Sequence, residues 1–121
     1  MIIPCKILSN DYLIYQKLES YIKDTPYFIL EEKGNVTGNE QVFFWDFDNY
    51  EVDHTIIYKV IEEGCLIFFI SSIIPRELLY KMFEDQIHDQ IGFMRKNITY
   101  SHFIDEISNV FDGNFEDKKV L

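Results

Sequence analysis

Residues 42–48 read Val42-Phe43-Phe44-Trp45-Asp46-Phe47-Asp48, and residues 66–72 read Leu66-Ile67-Phe68-Phe69-Ile70-Ser71-Ser72. Each is a short apolar run, rich in β-branched and aromatic side chains, that ends abruptly in polar residues. Such runs fit strands buried on both faces, which belong in parallel sheets covered by helices on either side. Runs of the same kind lie outward of this pair: Ile2–Leu8 and Tyr27–Glu31 before it, and Ile91–Arg95 after it. Between and after the strands the apolar period changes to that of a helix. Leu13, Ile14, Leu18, Tyr21 and Ile22 form one stripe, opened by the capping residues Ser9-Asn10-Asp11. A second, Val52, Ile56, Ile57, Val60 and Ile61, closes at Gly64, and a third, Leu78, Leu79, Met82, Phe83 and Ile87, opens at Pro75. The last stripe is Tyr100, Phe103, Ile104, Ile107, Val110 and Phe111. Residues 33–40 carry Gly34, Asn35, Gly38 and Asn39 and fit no helical period, so a loop stands where a helix is due. The order predicts an α/β fold: a doubly wound, five-stranded parallel sheet whose second helix is shortened or missing.

The remaining arithmetic narrows the function. A chain of 121 residues with 47% hydrophobic and 26% charged residues holds one packed domain. We place that domain at 1–111 and read 112–121, where the period is lost, as a tail or the start of a linker. Eleven basic residues against 21 acidic ones give a formal charge of -10, and no Lys or Arg lies between Lys33 and Lys59. Phosphate contacts need clustered cations, so direct nucleic-acid binding is not expected of this domain. No apolar run is long enough to span a bilayer, so no membrane partner is expected either. Cys5 and Cys65 both fall in strand-like runs, which predicts buried, reduced thiols and a cytoplasmic protein.

In doubly wound sheets chemistry collects beyond the carboxyl ends of the strands. Reading those ends gives Ser9, Asn10 and Asp11 after the first strand, Asp46 and Asp48 after the third, Ser71 and Ser72 after the fourth, and Lys96 after the fifth. A carboxylate, a hydroxyl and an ammonium on one rim could take up a phosphoryl group as nucleophile, hydrogen-bond donor and charge clamp.

This constellation resembles the receiver (CheY-like) domain of two-component response regulators, and specifically receivers of the LytTR/AlgR type. The resemblance covers Ile2 to about Phe111 and rests on Val42–Asp46, Ile67–Ser72 and Gly92–Tyr100. It implies a flavodoxin-like fold. It further implies that Asp46 is the phosphoacceptor, Ser71 the switch hydroxyl, Lys96 the phosphate-binding ammonium and Phe93 the aromatic switch. A sensor histidine kinase would be the partner, and a homodimer would form through the fourth helix, fifth strand and fifth helix to control a DNA-binding output. Arg76, Tyr80, Glu84, Tyr100, Ser101 and Asp105 are expected on that face.

Three features depart from the family pattern. Ser9-Asn10 stands where a pair of acids normally holds Mg²⁺, which leaves at most a weak site made from Asn10, Asp11 and Asp46. Asn97 replaces the usual proline, and the second helix is absent. The lost acids and the short second-helix segment point to a degenerate receiver, which either still accepts phosphate on Asp46 or works independently of phosphorylation. Asp46, Asp48, Ser71 and Lys96 also fit a haloacid-dehalogenase-like phosphatase. That family, however, places its nucleophile on the first strand and needs later acids. Trp45–Asn49 resembles the opening strand of NYN-type nucleases, a reading opposed by the charge and by the short remainder of the chain.

Overall fold

The computed structural model describes residues 2–31, 36–51, 53–82 and 88–119. Lys33, Gly34, Asn35, Val52, Phe83, Glu84 and Ile87, named above, lie outside the described residues.

Strands β1 (Ile3–Leu8), β2 (Phe28–Leu30), β3 (Val42–Asp46), β4 (Leu66–Ile70) and β5 (Ile91–Met94) pair in parallel in the order β2-β1-β3-β4-β5. This is the flavodoxin-like order, and the winding reverses between β1 and β3, which opens a crevice at their carboxyl ends. The helices are α1 (Tyr12–Lys23), α2 (His54–Glu62), α3 (Arg76–Met82) and α4 (Tyr100–Lys119), with a 3-10 turn at His88–Gln90. Alternation along the strands divides the core into two layers. Cys5, Ile7, Phe44, Phe68 and Met94 face α1 and α4, where they meet Leu18, Ile22, Phe103 and Ile107. Phe43, Trp45, Ile67, Phe69 and Phe93 face α2 and α3, where they meet Ile57, Val60, Ile61 and Leu79.

Local chemistry sets the helix ends. Asp11 caps α1 by accepting the N–H groups of Leu13 and Ile14, and Asp53 caps α2 through Thr55 and Ile56. At the far end of α2, Gly64 has φ +86 and donates to the Ile61 carbonyl, while Cys65 donates to that of Val60. This paired closure needs a residue that tolerates positive φ.

Two readings of the sequence are corrected here. Of the described members of the α3 stripe only Leu79 is buried, whereas Leu78 and Met82 are exposed. Among the described residues of α3, Leu79 is the one buried position. In addition, α4 runs through to Lys119, so the residues after Phe111 continue the helix instead of leaving it. No proline interrupts residues 112–119, and Glu116, Lys118 and Lys119 are good helix formers.

Between β2 and β3 the described residues contain no helix, as expected, and a carboxylate fills part of the space. Lys6 points to the side of β1 opposite Cys5 and Ile7 and is buried there. Its ammonium lies 3.7 Å from Glu40, whose side chain is also buried. The connecting segment curls around that carboxylate, which accepts the Thr37 N–H, the Thr37 hydroxyl and the Gly38 N–H.

Gly92 on β5 lies where α4 and the sheet meet most closely. A Cβ there would fall 2.5 Å from the ring of Phe68 and 3.1 Å from Val110. Phe68 is fully buried and stacked on Phe44, so it has little room to yield. Gly92→Ala is expected to cost about 1–3 kcal/mol, seen as a lower urea midpoint at unchanged slope.

Candidate functional site

The crevice beyond β3, β4 and β5 brings Asp46, Asp48, Ser71 and Lys96 together, as the strand ends predict. Asp46 is the last residue of β3, is completely buried, and pairs in register with Ile70 of β4. The chain then turns, with Asn49 N–H donating to the Asp46 carbonyl, and the turn brings Asp48 beside Ser71 and Ser72. Asp46 Oδ2 accepts the Ser9 hydroxyl at 2.6 Å. Its Oδ1 accepts no hydrogen bond and faces the Lys96 ammonium 3.5 Å away. The same ammonium lies 3.5 Å from Asp48 Oδ2, so one cation serves two carboxylates.

Asp48 is more heavily engaged than a loop acid. Its Oδ1 accepts the Ser71 hydroxyl at 2.7 Å, and its Oδ2 accepts the Ser72 N–H at 2.9 Å. Burial opposes its charge. The Ser71 hydroxyl, the Ser72 amide and the Lys96 ammonium outweigh that penalty and hold the carboxyl below its ordinary pKa. Ser71 is therefore turned to Asp48 and away from Asp46, and its oxygen also accepts the N–H groups of Ile73 and Ile74.

Phe93 is buried under α3, its ring 4.5 Å from that of Tyr80 and 6.2 Å from that of Phe69. The Arg76 guanidinium sits over the ring at 5.7 Å and bonds Glu106 of α4 at 2.8 Å. Of the residues expected on the outer face, Arg76, Ser101 and Asp105 are exposed. Tyr100 is a correction. Its hydroxyl donates to the Asp24 carbonyl and its ring packs against Tyr21, so it faces α1. Alongside α3 and the start of α4, a cavity of about 770 Å³ is lined by Ser71, Arg76, Phe93, Arg95 and His102 among others.

Mg²⁺ requires several oxygens, usually including one or two carboxylates, and of the expected ligands Asp46 keeps Oδ1 without a hydrogen bond, facing Lys96. The Asp11 carboxylate caps α1. Asn10 is exposed, and its backbone N–H bonds the Asn49 carbonyl. Among the described residues no three His, Cys, Asp or Glu side chains are grouped as a metal would need. The sequence reading missed the Ser9 hydroxyl on Asp46 and undervalued Asp48. No strand or helix period could place Asp48, because it lies in the turn that follows β3.

Asp48 and Glu40 together predict an acid limit to stability. Burial opposes the charge of Glu40 as well, but its bonds to Thr37 and Gly38 hold its pKa below the ordinary value. With folded values below unfolded ones, both groups stabilise fully above the unfolded carboxylate range. That contribution is lost as pH falls through the folded values. Urea midpoints should be level near neutrality and fall below about pH 4, with a shallower fall in Asp48→Asn. The thiols lie outside this range, since burial first and the Glu31 charge second push Cys5 up to about 12.

No family profile matches the sequence, and no curated protein matches it significantly. Among solved structures it is similar to the response regulator ChrA of a heme-sensing two-component system, at 12% identity and a TM-score of 0.61. The match covers 93% of this chain and 58% of that one, so the chain spans little more than half of ChrA. This likeness, with the strand order and the strand-end aspartate, gives the chain the fold of a response-regulator receiver domain.

Proposed function

We propose that this chain is a receiver-type signalling domain of the two-component kind that works without a phosphoryl group on Asp46. The supporting observation is the Asp46 pocket, where Ser9 and Lys96 supply the hydrogen bond and the charge from within the chain. A phosphoryl group would bring about -1.5 to -2 further charge to a rim where a single ammonium already faces two carboxylates. The signal then passes through the face formed by α3, β5 and α4, with a second copy of the chain as its partner. A DNA-binding output of the LytTR type, carried by another domain, fits the chain's own charge of -10, which leaves nucleic-acid contact to that domain. The action is cytoplasmic. Among the described residues no helix is long and apolar enough to cross a membrane.

The phosphatase alternative requires Asp48 to hold a proton near neutral pH as general acid. Its hydrogen bonds favour the ionised form instead.

Trp45 is the single tryptophan and adjoins Asp46, so its fluorescence reports on the pocket. Titration with millimolar Mg²⁺ is expected to give no saturable change. A saturable change that disappears in Asp46→Asn would contradict the proposal.

A further inference from the structure

The groups that this rim can offer an anion converge on Asp48. They are the hydroxyl that ends β4, the backbone amide that follows it, and the ammonium that follows β5, at 2.7, 2.9 and 3.5 Å. The Asp48 side chain is only 5% exposed. The Ser71 hydroxyl has one proton and the Ser72 amide one hydrogen, and both are directed to Asp48, so neither remains for an oxyanion on Asp46.

Resting on the receiver reading above, we propose that Asp48 is a positioning residue, an anion built into the chain. It holds the switch hydroxyl, the neighbouring amide and the lysine, and so fixes the signalling face in one state without phosphorylation. The connection from Asp48 to that face is continuous. Ser71, anchored by Asp48, receives the N–H groups of Ile73 and Ile74. The chain then turns at Pro75, whose carbonyl accepts the N–H groups of Leu78 and Leu79 as α3 begins. From α3, Arg76 reaches over the Phe93 ring to Glu106 of α4, and Tyr80 packs on the same ring. A second anchor ties the segment to β5, because Ser71 N–H donates to the Met94 carbonyl and Arg95 donates to that of Ser71. Holding the first residues of the β4–α3 segment thus sets where α3 lies on Phe93.

The test uses amide exchange and ring NOEs on the full 121-residue chain, comparing wild type, Asp48→Ala, Ser71→Ala and the double variant. Both single variants should lower protection at Ile73 and Ile74 by about tenfold, as expected when their bonds to the Ser71 oxygen are lost or loosened. Both should also weaken the Phe93–Tyr80 ring contact, with no further change in the double variant, while the β1 and β3 amides keep their protection. A loss confined to the Ser72 amide in Asp48→Ala, with the Phe93–Tyr80 contact intact in both variants, would overturn the proposal. Phosphoryl uptake at Asp46 by the unaltered chain would instead defeat the functional reading beneath it, so the two failures are distinguishable.

Discussion

Glu40→Ala is expected to destabilise the domain by about 3–5 kcal/mol, the usual consequence of removing one partner of a buried ion pair. The substitution takes the carboxylate from beside the buried Lys6 ammonium and also removes the acceptor that organises Thr37 and Gly38. Against a typical total of about 5–15 kcal/mol the effect is large and should be plain in a urea or thermal unfolding curve. The cause can be isolated by replacing both partners. Lys6→Met with Glu40→Leu removes the need to desolvate charge and should recover most of the loss, since apolar substitutes for buried pairs are often neutral or better. If the double variant is as unstable as Glu40→Ala, the damage lies in the loop around Thr37 and Gly38 and the ion pair is not its source.

Phe103→Ala is expected to cost a similar amount, about 3–5 kcal/mol, through lost transfer energy and the cavity left behind. Phe103 is fully buried, stacked on Phe44 at 5.4 Å and tilted against Tyr21 at 5.2 Å, so one ring ties α4 to both the sheet and α1. The rings of Phe44, Tyr21 and Tyr100 around it cannot collapse into the space easily, which places the cost high in the range. Tyr100→Phe, which removes only the hydroxyl bonded to Asp24, should cost about 1 kcal/mol and serves as the comparison. Equal losses in the two variants would contradict the packing account. Chemical denaturation at neutral pH measures both.

The sheet was legible from the sequence because its strands are apolar on both faces and end abruptly. Val42–Asp46 and Leu66–Ile70 carry no helical period that could compete. The α4 stripe was legible for the opposite reason, since Phe103, Ile107 and Val110 keep one face for several turns and all three are buried. The α3 stripe misled because apolar residues at helical spacing say nothing about how far a short helix lies over its sheet. Leu78 has the right spacing and is half exposed. The pairing of Lys6 with Glu40 could not be read from composition or period, because it joins a strand interior to a loop. In the candidate site the positions of Asp46, Ser71 and Lys96 followed from strand ends. The direction of each hydroxyl did not. Ser9 turning to Asp46 and Ser71 turning to Asp48 are outcomes of register and capping that only side-chain coordinates reveal.

In the proposed receiver, the pocket's own residues stand in for the metal and the phosphoryl group. The most direct test is the intact mass of the chain after incubation with acetyl phosphate and Mg²⁺, run beside Ser9→Asp/Asn10→Asp, which restores the missing acids. The account predicts that the wild-type mass stays unchanged while the acid-restored variant gains one phosphoryl group, a gain abolished by adding Asp46→Ala. A phosphoryl adduct on the wild-type chain that is lost in Asp46→Ala would contradict it.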